Sequence, residues 1–167
     1  MLNYGGHSML KPLPARPRLS PLATNRIALV ASNYNGEFVE PMIAHALEEI
    51  RSIEPDSQAE VFRAPGSFEI PFLARQVITR RKPDVVICLG VIFQGESGHA
   101  QLIASAVSDC LCMLSTDTMT PVIHAVLLLK DEDQARERCL GDTVNRGTEA
   151  ARAAIEILRT SRSISQQ

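Results

Sequence analysis

No apolar run in this chain approaches the roughly 20 residues that a helix needs to cross a bilayer. Positive charge is not in excess: 17 lysines and arginines face 19 acids, for a net charge of -2, and the signs are well mixed. That balance excludes the electrostatic footprint of a nucleic-acid binder. The phosphate-loop pattern G-x-x-x-x-G-K and the dinucleotide pattern G-x-G-x-x-G are both missing, which argues against a nucleoside triphosphate or NAD. Cysteine is sparse. Cys88, Cys110, Cys112 and Cys139 include no pair at zinc-ribbon spacing. Cys110-x-Cys112 beside a histidine is the one metal alternative, and helix-face thiols in a reducing, cytoplasmic compartment are the better reading, with no metal expected.

The first 25 residues lack acids altogether but hold Pro12, Pro14, Pro17 and Pro21. They have no apolar centre for a signal peptide, and the prolines oppose the amphipathic helix of a transit peptide. Residues 1–25 are therefore expected to be an extended arm, ordered only if something binds it. What remains is a globular composition, 45% hydrophobic and 22% charged in 167 residues, enough for one core. The expected organisation is one domain over residues 26–159 and a polar tail over residues 160–167.

Within that domain, apolar runs alternate with helical spacing. Arg26–Ser32, Ala59–Ala64, Val85–Phe93 and Pro121–Leu129 read as strands. Helical patterns fill Glu37–Ile53, Glu69–Arg81 and His99–Leu114, with Pro41 and Pro71 placed near helix starts. The last helix has Leu102, Ile103, Ala106, Val107, Cys110 and Leu111 on one face. Glu132–Leu140 and Asn145–Arg159 are two more, broken near Gly141. Strands and helices in this order predict parallel βαβ units: an α/β fold, a three-layer α/β/α sandwich on a four-stranded parallel sheet with flavodoxin-like topology. Ligands of such sheets bind beyond the carboxyl ends of the strands. The polar, glycine-rich stretches Asn33–Gly36, Pro65–Glu69, Gln94–His99 and the residues after Leu129 all lie at that edge.

Each stretch has a chemical and a structural reading. Gly95-Glu-Ser-Gly98 precedes a helix N-terminus, where free N–H groups attract anions, and Ser97 either holds an anion there or caps the helix. His99 is a proton-transfer group near neutrality or a surface histidine. Glu69, after the Pro65–Gly66 turn, takes ligand donors or complements the helix dipole. Tyr34 offers a flat face to a heterocycle, or simply packs. Arg138 grips a phosphate, or is a solvated residue at a helix end.

The order "SNYN", "APGSFEIP", "LGVIFQGESGH", "TPVIHAVL" and "ARERCLGDTVNRG", from Arg26 to Leu158, resembles the 6,7-dimethyl-8-ribityllumazine synthase family of riboflavin biosynthesis. The resemblance implies a transferase that condenses 5-amino-6-(D-ribitylamino)uracil with 3,4-dihydroxy-2-butanone 4-phosphate, losing water and phosphate, with no cofactor. It implies that Tyr34 stacks on the pyrimidine while Ser67, Phe68 and Glu69 hold the ribityl side. The backbone of Val91, Ile92 and Phe93 would follow the ring edge, and His124 would cover it from a neighbouring subunit. Glu96, Ser97 and Arg138 would form the phosphate site, His99 would transfer protons, and Asn35 and Arg146 are further candidates.

Gln94 stands where the family commonly has a basic residue, Ala100 where an aromatic is usual, His124 where phenylalanine is usual and Arg146 where lysine is usual. Leu140–Asn145 matches the family's bend only in part. The family builds pentamers with sites between subunits, and some members close twelve pentamers into an icosahedral shell. A homopentamer or shell is therefore expected, with riboflavin synthase as a candidate protein partner. Two other readings stay open: a paralogue with altered activity that binds a pyrimidine or flavin or only forms a shell, and a flavodoxin-like flavin binder.

Overall fold

The computed structural model describes residues 13–17 and 24–165. Strand β1 (Arg26–Ser32) and β3 (Val85–Phe93) are continuous apolar runs, buried along almost their whole length. Such runs belong in the middle of a parallel sheet, covered on both faces. Strands β2 (Gln58–Ala64) and β4 (Val122–Leu129) are more exposed and form the edges, in the order β2-β1-β3-β4, all parallel.

Alternation along the strands separates two cores. Ile27, Leu29 and Ala31 of β1, with Val85, Ile87 and Leu89 of β3, face helices α1 (Gly36–Ile53) and α5 (Arg146–Ser165). Ala28 and Val30, with Val86 and Cys88, face α2 (Ile70–Arg81) and α3 (His99–Thr118). This is the expected three-layer sandwich. Helices α1 and α5 touch so closely that a Cβ on Gly147 would lie 1.9 Å from the carbonyl oxygen of Met42. Only glycine fits there.

Several local expectations change. α1 starts at Gly36, so Pro41 lies inside the helix, beyond the first turn, and removes the bond that the Glu37 carbonyl would receive. A 3-10 turn at Ser67–Glu69 precedes α2. α3 runs four residues past Leu114 and stops where Met119 adopts a left-handed conformation. Its apolar face is divided: Val107 and Leu111 are buried, while Leu102 and Cys110 are exposed. After β4 come a four-residue helix, α4 (Glu132–Ala135), and a π-turn, Arg136–Leu140. Residues 160–165, expected as tail, continue α5. No proline or glycine interrupts them, and the Arg162 guanidinium donates to the buried Asn25 side chain.

Leu13–Pro17 lies on its own chain. Arg16 donates through Nε and Nη2 to the two Glu49 oxygens of α1, each at 2.8 Å. Arg152 of α5 donates to the same carboxylate at 2.8 Å and to the Pro14 carbonyl. The rest of the expected arm, residues 1–12 and 18–23, and the last two residues lie outside the described residues. No described helix is long and apolar enough to cross a membrane.

Candidate active site

In a sheet of order β2-β1-β3-β4 the winding reverses between β1 and β3, and a crevice opens beyond their carboxyl ends. A cavity of about 440 Å³ occupies it. Four segments close it: Tyr34 and Asn35 after β1, Gly66–Glu69 after β2, Val91–Phe93 with Gly95 and Ser97 after β3, and His99, Ala100 and Ile103 of α3.

Local bonding explains why these segments meet. The Asn33 and Tyr34 N–H groups donate to the carbonyls of Ala64 and Pro65 at 2.8 and 3.1 Å, extending the β1–β2 ladder past the strands. Asn35 takes the left-handed conformation (φ 56°) that asparagine tolerates, and its Nδ2 donates to the Val91 carbonyl at 2.8 Å. That bond fastens the start of α1 to β3. Tyr34 is left 71% exposed, and Phe68, which lines the same cavity, is exposed too. The Phe93 ring turns inward against Phe38, centroids 5.5 Å apart, so Phe93 offers the cavity mainly backbone.

Glu69 accepts from the Gly66 N–H at 3.0 Å and closes the turn. Ser67 is 8% exposed and lies over Gly90, where a Cβ would come within 2.8 Å of its Oγ. A glycine in mid-strand often marks such an approach, and this was the signal available in the sequence. Ser97 does not cap α3, because Gly98 occupies the N-cap position with no side-chain cap bond. Ser97 therefore lines the cavity beside a helix start whose N–H groups are uncapped. His99 is exposed at the cavity wall.

The remaining candidates are elsewhere. His124, Arg138 and Arg146 line a second cavity of about 250 Å³, between β4, the π-turn and α5. Glu96 is exposed and lines neither cavity. Within one chain, Arg138 and Ser97 are thus not at one anion site. Arg138 and Arg146 each keep a buried Nε–H without a partner among the described residues, although an Arg146 Nη1 reaches Glu149. Between them Asn145, fully buried, bonds to Cys139 and Gly147, a role not foreseen from the sequence.

His124 has both ring nitrogens engaged. The Val126 N–H donates to Nδ1 at 3.2 Å, so the neutral ring carries its proton on Nε2 and donates to Ser108 Oγ at 2.8 Å. The Ser108 hydroxyl in turn donates to the Ala104 carbonyl at 2.7 Å. Partial burial holds the His124 pKa below the usual histidine range, which favours the neutral ring. Burial also pushes the Cys139 thiol up to about 11, against the pull of Arg138 and Arg146, so this cysteine is inert near neutrality. Among the described residues no group of three histidine, cysteine or acidic side chains is placed to hold a metal.

Residues 24–162 match the family model of 6,7-dimethyl-8-ribityllumazine synthase. A protein of that name from Chlorobium phaeobacteroides is 35% identical over 134 residues, covering 80% of this chain and 86% of that one. The Thermus thermophilus protein of the same name is 33% identical, over 89% of this chain and 97% of that one. Among solved structures, a GDP-L-fucose synthetase from Naegleria fowleri gives a TM-score of 0.44 at 12% identity, covering 96% of this chain and 51% of that one. That likeness is too low to bear on function. The chain belongs to the 6,7-dimethyl-8-ribityllumazine synthase family, transferases of riboflavin biosynthesis.

Proposed function

We propose that this family member condenses 5-amino-6-(D-ribitylamino)uracil with 3,4-dihydroxy-2-butanone 4-phosphate to 6,7-dimethyl-8-ribityllumazine. The observation that carries the reading is the first cavity. Tyr34, Ser67–Glu69, Val91–Phe93, Ser97 and His99 come from separate parts of the chain and line one space at the sheet's switch point. A pyrimidine fits between the Tyr34 ring and the backbone of Val91–Phe93. The ribityl hydroxyls meet the Ser67–Glu69 turn.

The chemistry then needs little else. The primary amine adds to the ketone and loses water, phosphate leaves, the enol tautomerises to a new ketone, and the second amine attacks that carbonyl, closing the ring as a second water leaves. Holding both substrates in register supplies much of the acceleration, and one histidine serves the proton transfers. His99 has that role. Phosphate departure needs stabilised negative charge, which the uncapped start of α3, Ser97 and the two arginines offer together.

The arginines reach that phosphate only from another copy, so the active site is composite, and the pentamer that the resemblance implies would supply that copy. Tyr34, Phe68, Phe72 and Leu102 support this: all are large, apolar or aromatic, and 60% exposed or more. His124 and Arg138 of the neighbour would close the cavity over these residues. Its small-molecule substrates need no cofactor.

The test is a stopped assay with both substrates that follows lumazine fluorescence, with His99→Ala alongside. Product at an enzymatic rate is expected, with kcat lower by about 10²–10⁴ in the variant. Product no faster than the spontaneous background refutes the assignment and leaves a ligand-binding paralogue.

A further inference from the structure

The segment between the two arginines of the second cavity has no regular structure. Arg138 belongs to the π-turn Arg136–Leu140, Arg146 opens α5, and residues 141–145 join them. A connection of that kind leaves the spacing of two guanidiniums loose unless something spans it. One side chain does. Asn145 Nδ2 donates to the carbonyl of Cys139 at 2.7 Å, and its Oδ1 accepts from the N–H of Gly147 at 2.8 Å. Cys139 directly follows Arg138, and Gly147 directly follows Arg146. The amide is fully buried, so water does not compete for either bond.

The far end of this strut is itself fixed. Gly147 is pressed against the Met42 carbonyl of α1, where no larger residue fits. The Asn145 carbonyl also accepts from the Glu149 N–H at 3.0 Å, which seats the first turn of α5. Position is therefore passed from α1 through Gly147 and Asn145 to the π-turn that carries Arg138. Each arginine keeps one buried Nε–H with no partner among the described residues. A phosphate dianion spanning two such donors demands a set distance between them.

We propose that Asn145 is a positioning residue: its side-chain amide sets the separation of the Arg138 and Arg146 guanidiniums and so tunes the second cavity for a phosphate group. The proposal rests on the reading that these arginines receive the phosphate of the butanone substrate. It goes beyond that reading in assigning the spacing to one buried amide that touches no substrate.

Asn145→Ser separates the strut from the helix cap. Serine still caps α5 by accepting from Gly147 but is too short to reach Cys139. Loss of that one bond is expected to raise the KM for the phosphate substrate about three- to tenfold, with the pyrimidine KM within about twofold. Calorimetry with inorganic phosphate is expected to show the same weakening. If the wild type turns over and Asn145→Ser binds phosphate as the wild type does, the positioning role is wrong. Equal rises in both KM values also overturn it, since they mark a general structural defect. Should Asn145→Ser fail to fold, the isosteric Asn145→Asp keeps the cap and removes the donor. Its added charge acts in the same direction, so unchanged phosphate affinity in that variant rejects the proposal outright. A wild type that makes no lumazine and binds no phosphate rejects the underlying reading instead.

Discussion

The two cavities of this chain are built on opposite principles. The first, between β1 and β3, presents an exposed tyrosine, strand backbone, a tight turn and one histidine, and contains no arginine or lysine. The second, beside the edge strand β4, presents two guanidiniums whose buried Nε–H groups have no partner among the described residues, and a histidine whose ring nitrogens bond to Val126 and Ser108. One suits a flat, uncharged heterocycle and the other an anion. Neither suits both. A reaction that joins a pyrimidine to a phosphorylated ketone needs both at once, and here a single chain keeps them apart. If the proposed reaction is right, the comparison predicts that the unit of function is a pair of neighbouring chains.

The largest effect tests that pairing directly. His99→Ala and Arg138→Ala each disable one cavity, and with the phosphate substrate held near the wild-type KM each is expected to be nearly inactive alone. If the cavities cooperate across an interface, mixing and reassembling the two variants restores activity, because some sites combine an intact His99 from one copy with an intact Arg138 from the next. A mixture as inactive as its components would place both residues in one chain's site and break the comparison.

Next in size is the division of labour between substrates. Arg138→Ala removes charge-assisted hydrogen bonds, worth about 1.5–3 kcal/mol, and is expected to raise the KM for the phosphate substrate about 10–100-fold. The pyrimidine KM should move far less. Steady-state kinetics with each substrate varied in turn measures this, and equal losses would remove Arg138 from the phosphate role.

A smaller effect is expected on the other side. Gly90→Ala brings a Cβ within 2.8 Å of Ser67 Oγ and 3.2 Å of both Ile70 and Val126. Overpacking of this kind costs about 1–3 kcal/mol. The strain is relieved by displacing the Ser67–Glu69 turn, so the pyrimidine KM should rise about tenfold while inorganic phosphate affinity stays put. A variant with unchanged pyrimidine KM would show that the turn does not read the ribityl side.

The sequence reading succeeded where one pattern dominated and failed where contacts decided. β3 has the expected bounds because nine apolar residues in a row admit one interpretation in a parallel sheet. The first cavity was legible because its residues sit at strand ends, which topology gathers at one edge. The second was not, because Arg138 falls on a π-turn and its partner lies beyond a bend, and no periodicity reports where such segments go. Leu102 illustrates another limit: helical spacing marks an apolar stripe, but not whether its own chain or another covers it. Asn145 is invisible in sequence for a related reason. Its two bonds join residues on either side of a bend whose shape they create.

The smallest effect concerns the arm segment, and it asks whether the outer helical face contributes to either cavity. Glu49 is buried, which alone would raise its pKa, but hydrogen bonds and charge from Arg16 and Arg152 outweigh that and lower it. A carboxylate with a lowered folded-state pKa stabilises the docked arm above its unfolded-state pKa and loses that contribution as pH falls through the folded-state value. Leu13–Pro17 should therefore stay docked from neutral pH down through the ordinary carboxylate range, and come free only in stronger acid. Glu49→Gln is expected to free it at neutral pH, read as faster proteolytic trimming of the N-terminus. Because α5 remains fastened by Gly147 against Met42, and Glu49 lines neither cavity, lumazine formation should change little. A large loss of activity in that variant would mean that the arm reaches the second cavity through α5, and that the two cavities differ in rigidity as well as in charge.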